Sequence, residues 1–122
     1  MNGYLWRVYF VDPDSDLLVD RTGFHTLATT DPVTYCIYLS NQLDGALLRT
    51  VLIHELGHCT MVSFHLLDDI HRMVKPEYWL EAEELICNII ANYGWKIFQT
   101  AYDILGESAW YYVTKELERF VA

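Results

Sequence analysis

The hydrophobic pattern of this chain changes period once, near residue 43, and that change bounds what it can fold into. Before it, short β-rich runs alternate with turn signals. Residues 4–11 carry Tyr, Leu, Trp, Val, Tyr, Phe and Val, and Asp12-Pro13-Asp14-Ser15-Asp16 then breaks the run. Residues 17–19 and 24–29 flank Asp20-Arg21-Thr22-Gly23, which reads as a hairpin with glycine in its turn. Asp31-Pro32 breaks again, and residues 34–39 form a further strand. Connections this short predict a small antiparallel sheet over about residues 4–40.

After residue 43 the period is helical. Leu48, Leu52, Leu56 and Cys59 make one stripe that predicts a sheet-facing helix over about residues 44–64, with Asp44 as its N-cap. Pro76 suits the first position of a second helix, about residues 76–94, with a buried stripe of Trp79, Ala82, Ile86, Ile89 or Ile90, and Tyr93. Gly94 either caps this helix or lies in a kinked continuation through Ile97, Phe98 and Tyr102. C-terminal helices over about residues 95–121 follow. Gly106 separates the last of them, which has Trp110, Val113, Leu117 and Phe120 on one side. Strands first and helices after predict one α+β domain, residues 1–122.

Charge and cysteine content narrow the setting. Seventeen acidic against eight basic side chains give a net charge of −9, which repels phosphate and argues against direct nucleic-acid or anionic-membrane binding. Cys36, Cys59 and Cys87 are odd in number and unpaired in spacing, which suggests reduced thiols in a cytosol. No apolar run reaches the roughly 20 residues of a membrane span. The first residues lack the basic start and apolar middle of a secretory signal. The expectation is a cytoplasmic protein.

The chemistry concentrates in His54-Glu55-Leu56-Gly57-His58, an H-E-x-x-H motif inside the segment already read as a helix. At i and i+4 the two imidazoles share a helix face and can bind one ion. Glu55 then lies beside the metal rather than on it, placed to take a proton from water. The bland alternative is a surface helix with two histidines. The apolar residues flanking both histidines argue against it, as does Gly57, which costs about 1 kcal/mol in a helix interior and leaves room for a ligand or a neighbouring backbone.

A catalytic zinc takes three protein ligands. A metzincin would need Gly at 61 and His at 64, where this chain has Met61 and Phe64. His65 and His71 lack the spacing. Of Glu77, Glu81, Glu83 and Glu84, only Glu84 is followed by an amide, Asn88, one turn later. Glu84 is therefore the expected third ligand, and Asn88 the expected partner of a ligating imidazole. Glu81 and Glu83 are expected to be solvated acids.

Together, residues 37–40, 47–58 and 84–94 resemble the ImmA/IrrE-type metallopeptidases, most closely the short phage- and prophage-encoded members. The shared order is a strand, the H-E-x-x-H helix, and a helix with E-x-x-x-[ND]-x-[FI]-A. The resemblance spans roughly residues 35–95. It implies a minimal, zincin-like (gluzincin-like) fold, one zinc on His54, His58 and Glu84, Glu55 as base and Asn88 orienting a histidine. It further implies a bacterial or phage-infected host cell. The family's familiar helix-turn-helix domain is not expected at this length.

Other features carry less. Asp12, Asp14 and Asp16 imitate a calcium loop, but Leu17 and Gly23 occupy positions that need Gly and Glu. Cys59 and Cys87 lie near the motif residues; Cys87 reads as a small buried residue of the helix stripe, with a cysteine ligand as the minor alternative. Tyr78, Tyr93, His65 and His71 are open choices for stabilising an oxyanion. The row Trp110, Tyr111, Tyr112 cannot all be buried on one face, so one of them is a candidate partner or dimer contact. The expected function is zinc-dependent hydrolysis of a peptide or protein substrate, held along the edge of the strand at residues 34–39. The rivals are a zinc-binding phage structural or regulatory protein without peptidase activity, and an acidic decoy for a host protein.

Overall fold

A computed structural model describes residues 1–110, which form a three-stranded mixed sheet followed by helices, an α+β arrangement. The chain divides into two compact units, Met1–Asn92 and Tyr93–Ala122. The last helix expected from the sequence falls largely on residues 111–122, outside the described residues.

The sheet runs in the order β1 (Arg7–Val11), β3 (Cys36–Ser40), β2 (Ala28–Asp31). β2 and β3 pair antiparallel, Ala28 opposite Leu39 and Asp31 opposite Cys36. Asp31 builds the tight turn between them: its carboxylate accepts from the Val33 amide at 2.9 Å and the Thr34 hydroxyl at 2.8 Å. β1, however, runs parallel to β3, with Arg7 opposite Cys36 and Val11 opposite Ser40. The sheet is therefore mixed, not antiparallel throughout. A short turn dictates direction only for β2–β3. β1 reaches β3 after the long excursion of residues 12–27 and the whole of β2, long enough for a parallel neighbour. The predicted hairpin survives as a loop with a single bridge, Val19 to His25, and contributes no strand to the sheet.

This order also corrects the expected substrate edge. β3 is central and paired on both sides, so the free edges belong to β1 and β2. Ser40 N–H bonds Leu27 C=O at 2.9 Å, and by alternation the backbone groups of Ala28 and Thr30 point away from β3 toward the outer edge of β2.

α1 (Gly45–Ser63) packs Leu48, Val51, Leu52, Leu56 and Cys59 against Ala28, Ile37, Leu39 and Leu43. Ile37 and Leu39 are fully buried, each contributing about 1.5–3 kcal/mol of apolar transfer. Asp44 sits at the N-cap with extended backbone, but its side chain makes no capping bond. α2 (Leu67–Met73) was not legible in the sequence, being too short for a periodic stripe; its Ile70 joins Met61 and Cys87 in a second small core.

Pro76 opens a 3₁₀ turn, Pro76–Tyr78, that leads into α3 (Trp79–Ile89). The buried face of α3 is not the expected apolar stripe. Glu83 and Cys87 are buried, while Ile86 and Ile89 are 36% and 48% exposed. The helix is rotated because small residues meet at the helix crossing: a Cβ on Gly57 of α1 would lie 3.0 Å from Cys87 Sγ and 3.5 Å from Cys87 Cα. Gly57 thus admits a neighbouring backbone, and the acids of α3 turn inward with Cys87. Beyond α3 the backbone stays helical through a π turn, Ile90–Gly94, so Gly94 lies in a continuation and does not end the helix.

In the second unit, α4 (Trp95–Leu105) ends at Gly106, whose positive φ of 63° suits glycine, and Trp110 packs on Phe98 at 4.8 Å between ring centroids. No helix among the described residues is long and apolar enough to cross a membrane. All three cysteines are free and buried.

Candidate metal centre

α1 and α3 bring three of the expected residues to one point. His54 Nε2 and His58 Nε2 are 3.1 Å apart. The Glu84 carboxylate faces both, with Oε2 3.1 Å from His54 Nε2 and Oε1 3.3 Å from His58 Nε2. Zinc bonds of about 2.0–2.2 Å at tetrahedral angles separate neighbouring donor atoms by about 3.3 Å. The three separations are near that length, the two carboxylate contacts being made by different oxygens of Glu84. Two imidazoles and a carboxylate are donor types that would suit zinc and would leave a fourth position for water or substrate.

A sulfur donor lies close by. Ligand atoms of His54, His58 and Cys87 all fall within 4.8 Å of one another, so this group too could hold a metal ion. Cys87 is fully buried and one turn beyond Glu84 on α3, on the side away from solvent. Glu84, unlike Cys87, lines the cavity. Cys59 is pointed into the sheet core, where burial and then the nearby Glu55 carboxylate push its thiol up to about 12, so it stays a neutral thiol.

The contact that orients a ligating ring comes from Glu83 rather than Asn88. His58 Nδ1–H donates to Glu83 Oε1 at 2.8 Å, and both side chains are about nine-tenths buried. This bond turns Nε2 of His58 toward His54 and Glu84, and loss of the Nε2 proton from that ring would give the tautomer a metal requires. Glu83 is therefore not the solvated acid expected from its sequence neighbours. Asn88 is exposed and lines the cavity with no hydrogen bond to either histidine. The i+4 rule placed Asn88 on the Glu84 face, but α3 approaches α1 with its Glu83–Cys87 face foremost.

The electrostatics follow from this packing. Burial opposes a charge on His58, yet hydrogen bonds to Cys87, Glu83 and Glu84 outweigh it and hold the ring at about 12. Burial alone would raise Glu83, but His58 and Arg21 hold it below the usual range. His54 and then His58 hold Glu84 far below it. Without metal, the pocket is thus an imidazolium–dicarboxylate cluster, and a metal must displace a proton from it.

Glu55 is 6% exposed, and one of its carboxylate oxygens, Oε2, accepts from the Thr30 hydroxyl of β2. Thr30 has no signal in the sequence that links it to the motif. Both residues line a cavity of about 760 Å³, together with His54, His58, Glu83, Glu84 and Arg21. The remaining sequence candidates lie elsewhere. Glu77 and Glu81 are exposed and outside the cavity wall. His71 stacks on Trp79, His65 packs edge-on against Tyr4, and Tyr78 is 51% exposed. Tyr93 belongs to the second unit.

No protein-family model, curated protein or solved structure matches this chain.

Proposed function

We propose that the chain is a zinc-dependent peptidase of minimal zincin type, as the motif order shared with ImmA/IrrE-type metallopeptidases suggests. The observation that carries this reading is the convergence of His54 Nε2, His58 Nε2 and the two Glu84 oxygens, with contacts of 3.1, 3.1 and 3.3 Å, on a cavity wall that Glu55 shares. His54, His58 and Glu84 would hold the metal. Zinc bound there supplies Lewis acidity, polarising a carbonyl and bringing the pKa of water to about 7.

The protein's own groups do the rest. Glu55 Oε2 is held by Thr30, so Oε1 is the oxygen free to take a proton from the attacking water and pass it to the leaving amine. Thr30 sets the direction of that carboxylate. The outward N–H and C=O of the same residue offer an extended peptide a place to add as a strand along β2, directly beside the base.

The test is hydrolysis of a peptide library by zinc-loaded protein against Glu55→Gln. The variant keeps the shape and removes the base, so zinc should stay while cleavage falls at least ~10²-fold. A library left uncleaved by zinc-replete wild type favours a metal-binding module instead. A variant that cleaves at full rate rules Glu55 out.

A further inference from the structure

The metal centre has a wall that the H-E-x-x-H helix and α3 do not supply. It comes from the turn Asp20-Arg21-Thr22-Gly23, more than sixty residues before Glu84 in the chain. Asp20 folds this turn on itself: Oδ1 accepts from the Thr22 amide at 2.8 Å, the Thr22 hydroxyl, and the Phe24 amide at 3.1 Å. Gly23 takes the positive φ of 87° that closes it. The turn holds Arg21 over α3, where one guanidinium nitrogen, Nη2, lies 3.0 Å from Glu83 Oε2 and 3.4 Å from Glu84 Oε1. Arg21 is the only Arg or Lys in the cavity wall among the described residues.

We propose that Arg21 is a positioning residue of the metal centre, holding Glu83 so that His58 presents Nε2 to the point where His54 and Glu84 converge. Glu83 has two oxygens, and each has one partner. Oε1 takes the His58 Nδ1–H, and Oε2 takes Arg21. Two partners on opposite oxygens fix both the position and the plane of the carboxylate, which a single hydrogen bond does not. The chain Arg21–Glu83–His58 then locks the ring orientation that a ligand needs. The opposite effect, repulsion between the guanidinium and a bound dication, is weak because Arg21 is 53% exposed and screened by water. The shorter of its two contacts is to Glu83, not to the ligand Glu84, so it supports the site more than it competes for it.

This inference rests on the zinc-site reading above, and its test separates the two. Full-length wild type, Arg21→Gln and Arg21→Lys are titrated with Zn²⁺ against a chromophoric chelator and with Co²⁺ by its visible absorption. Arg21→Gln should lose about 10–100-fold in zinc affinity and change the Co²⁺ bands, as expected for a lost orienting partner. Arg21→Lys should recover part of both, because the contact is made through one nitrogen. Arg21→Gln binding zinc as tightly as wild type, or more tightly, overturns the proposal and makes Arg21 a bystander or competitor. Arg21→Lys behaving no better than Gln overturns it as well. Wild type that binds no zinc overturns the zinc-site reading and this inference with it.

Discussion

Replacing Glu83 by Gln separates the structural account of this site from the one its sequence suggests. The carboxamide keeps the shape and can still accept from His58 Nδ1–H through its oxygen across 2.8 Å, but it loses the charge and turns an NH2, which cannot accept, toward Arg21 at the 3.0 Å contact. Hydrogen bonds to a charged partner contribute about 1.5–3 kcal/mol, against about 1 for neutral pairs. Losing an orienting partner of a metal-bound imidazole costs about 10–100-fold in affinity, or about 1.4–2.7 kcal/mol. The expected result is a zinc affinity lowered by that factor in competition titration. Glu83→Ala goes further, leaving the buried His58 N–H and the Arg21 guanidinium without this acceptor. Breaking a buried pair in this way costs about 3–5 kcal/mol. The low end applies here because Arg21 is half-exposed and His58 keeps Glu84, and urea unfolding of the metal-free protein measures it. Asn88→Ala and Glu81→Ala, exposed and not hydrogen-bonded to the histidines, should leave affinity within about twofold. Zinc binding by Glu83→Gln equal to wild type, with a loss in Asn88→Ala, would refute the assignment and restore the sequence-based one.

Gly57→Ala should both destabilise the fold by about 1–2 kcal/mol and weaken zinc binding, since its Cβ would press at 3.0 Å on a fully buried sulfur, more than offsetting the gain in helix propensity. Adding Cys87→Ala should recover most of that stability in a double-mutant cycle, and strict additivity would contradict the close approach. Stability of the metal-free protein should depend on pH with a maximum between about 4.5 and 6.5, the unperturbed values of Glu84 and His58. Glu84, lowered in the fold, stabilises above 4.5 and loses that contribution as pH falls. His58, raised in the fold, stabilises fully below 6.5 and loses its contribution as pH climbs toward its folded value. Melting curves that rise steadily from pH 6.5 to 9 without metal would contradict this cluster.

What the sequence made legible follows from how local each signal is. The H-E-x-x-H spacing sets His54 and His58 on one helix face by backbone geometry alone, and the Leu48–Leu52–Leu56–Cys59 stripe packs on the sheet as its period requires. Glu84 converges on both rings, as its place on the second helix suggested. The rotation of α3 was not legible, because hydrophobic periodicity ranks Ile86 and Ile89 above an acid and a cysteine for burial. The decisive fact was a long-range one, the Gly57–Cys87 approach, which no window along the chain reports. Strand direction failed for a similar reason: β1 pairs with a strand two elements later. Arg21 and Thr30 reach the site from turn and strand segments whose local chemistry concerns only their own folding.

The central claim is that His54, His58 and Glu84 together hold a zinc ion, and X-ray absorption at the zinc edge of the loaded protein tests it most directly. The account predicts a nearest shell made only of nitrogen and oxygen at about 2.0–2.2 Å, with the outer-shell signature of two imidazoles. The spectrum should be unchanged in Cys87→Ser and altered in Glu84→Gln. A sulfur at about 2.3 Å that vanishes in Cys87→Ser would contradict the claim and assign the third position to the thiolate.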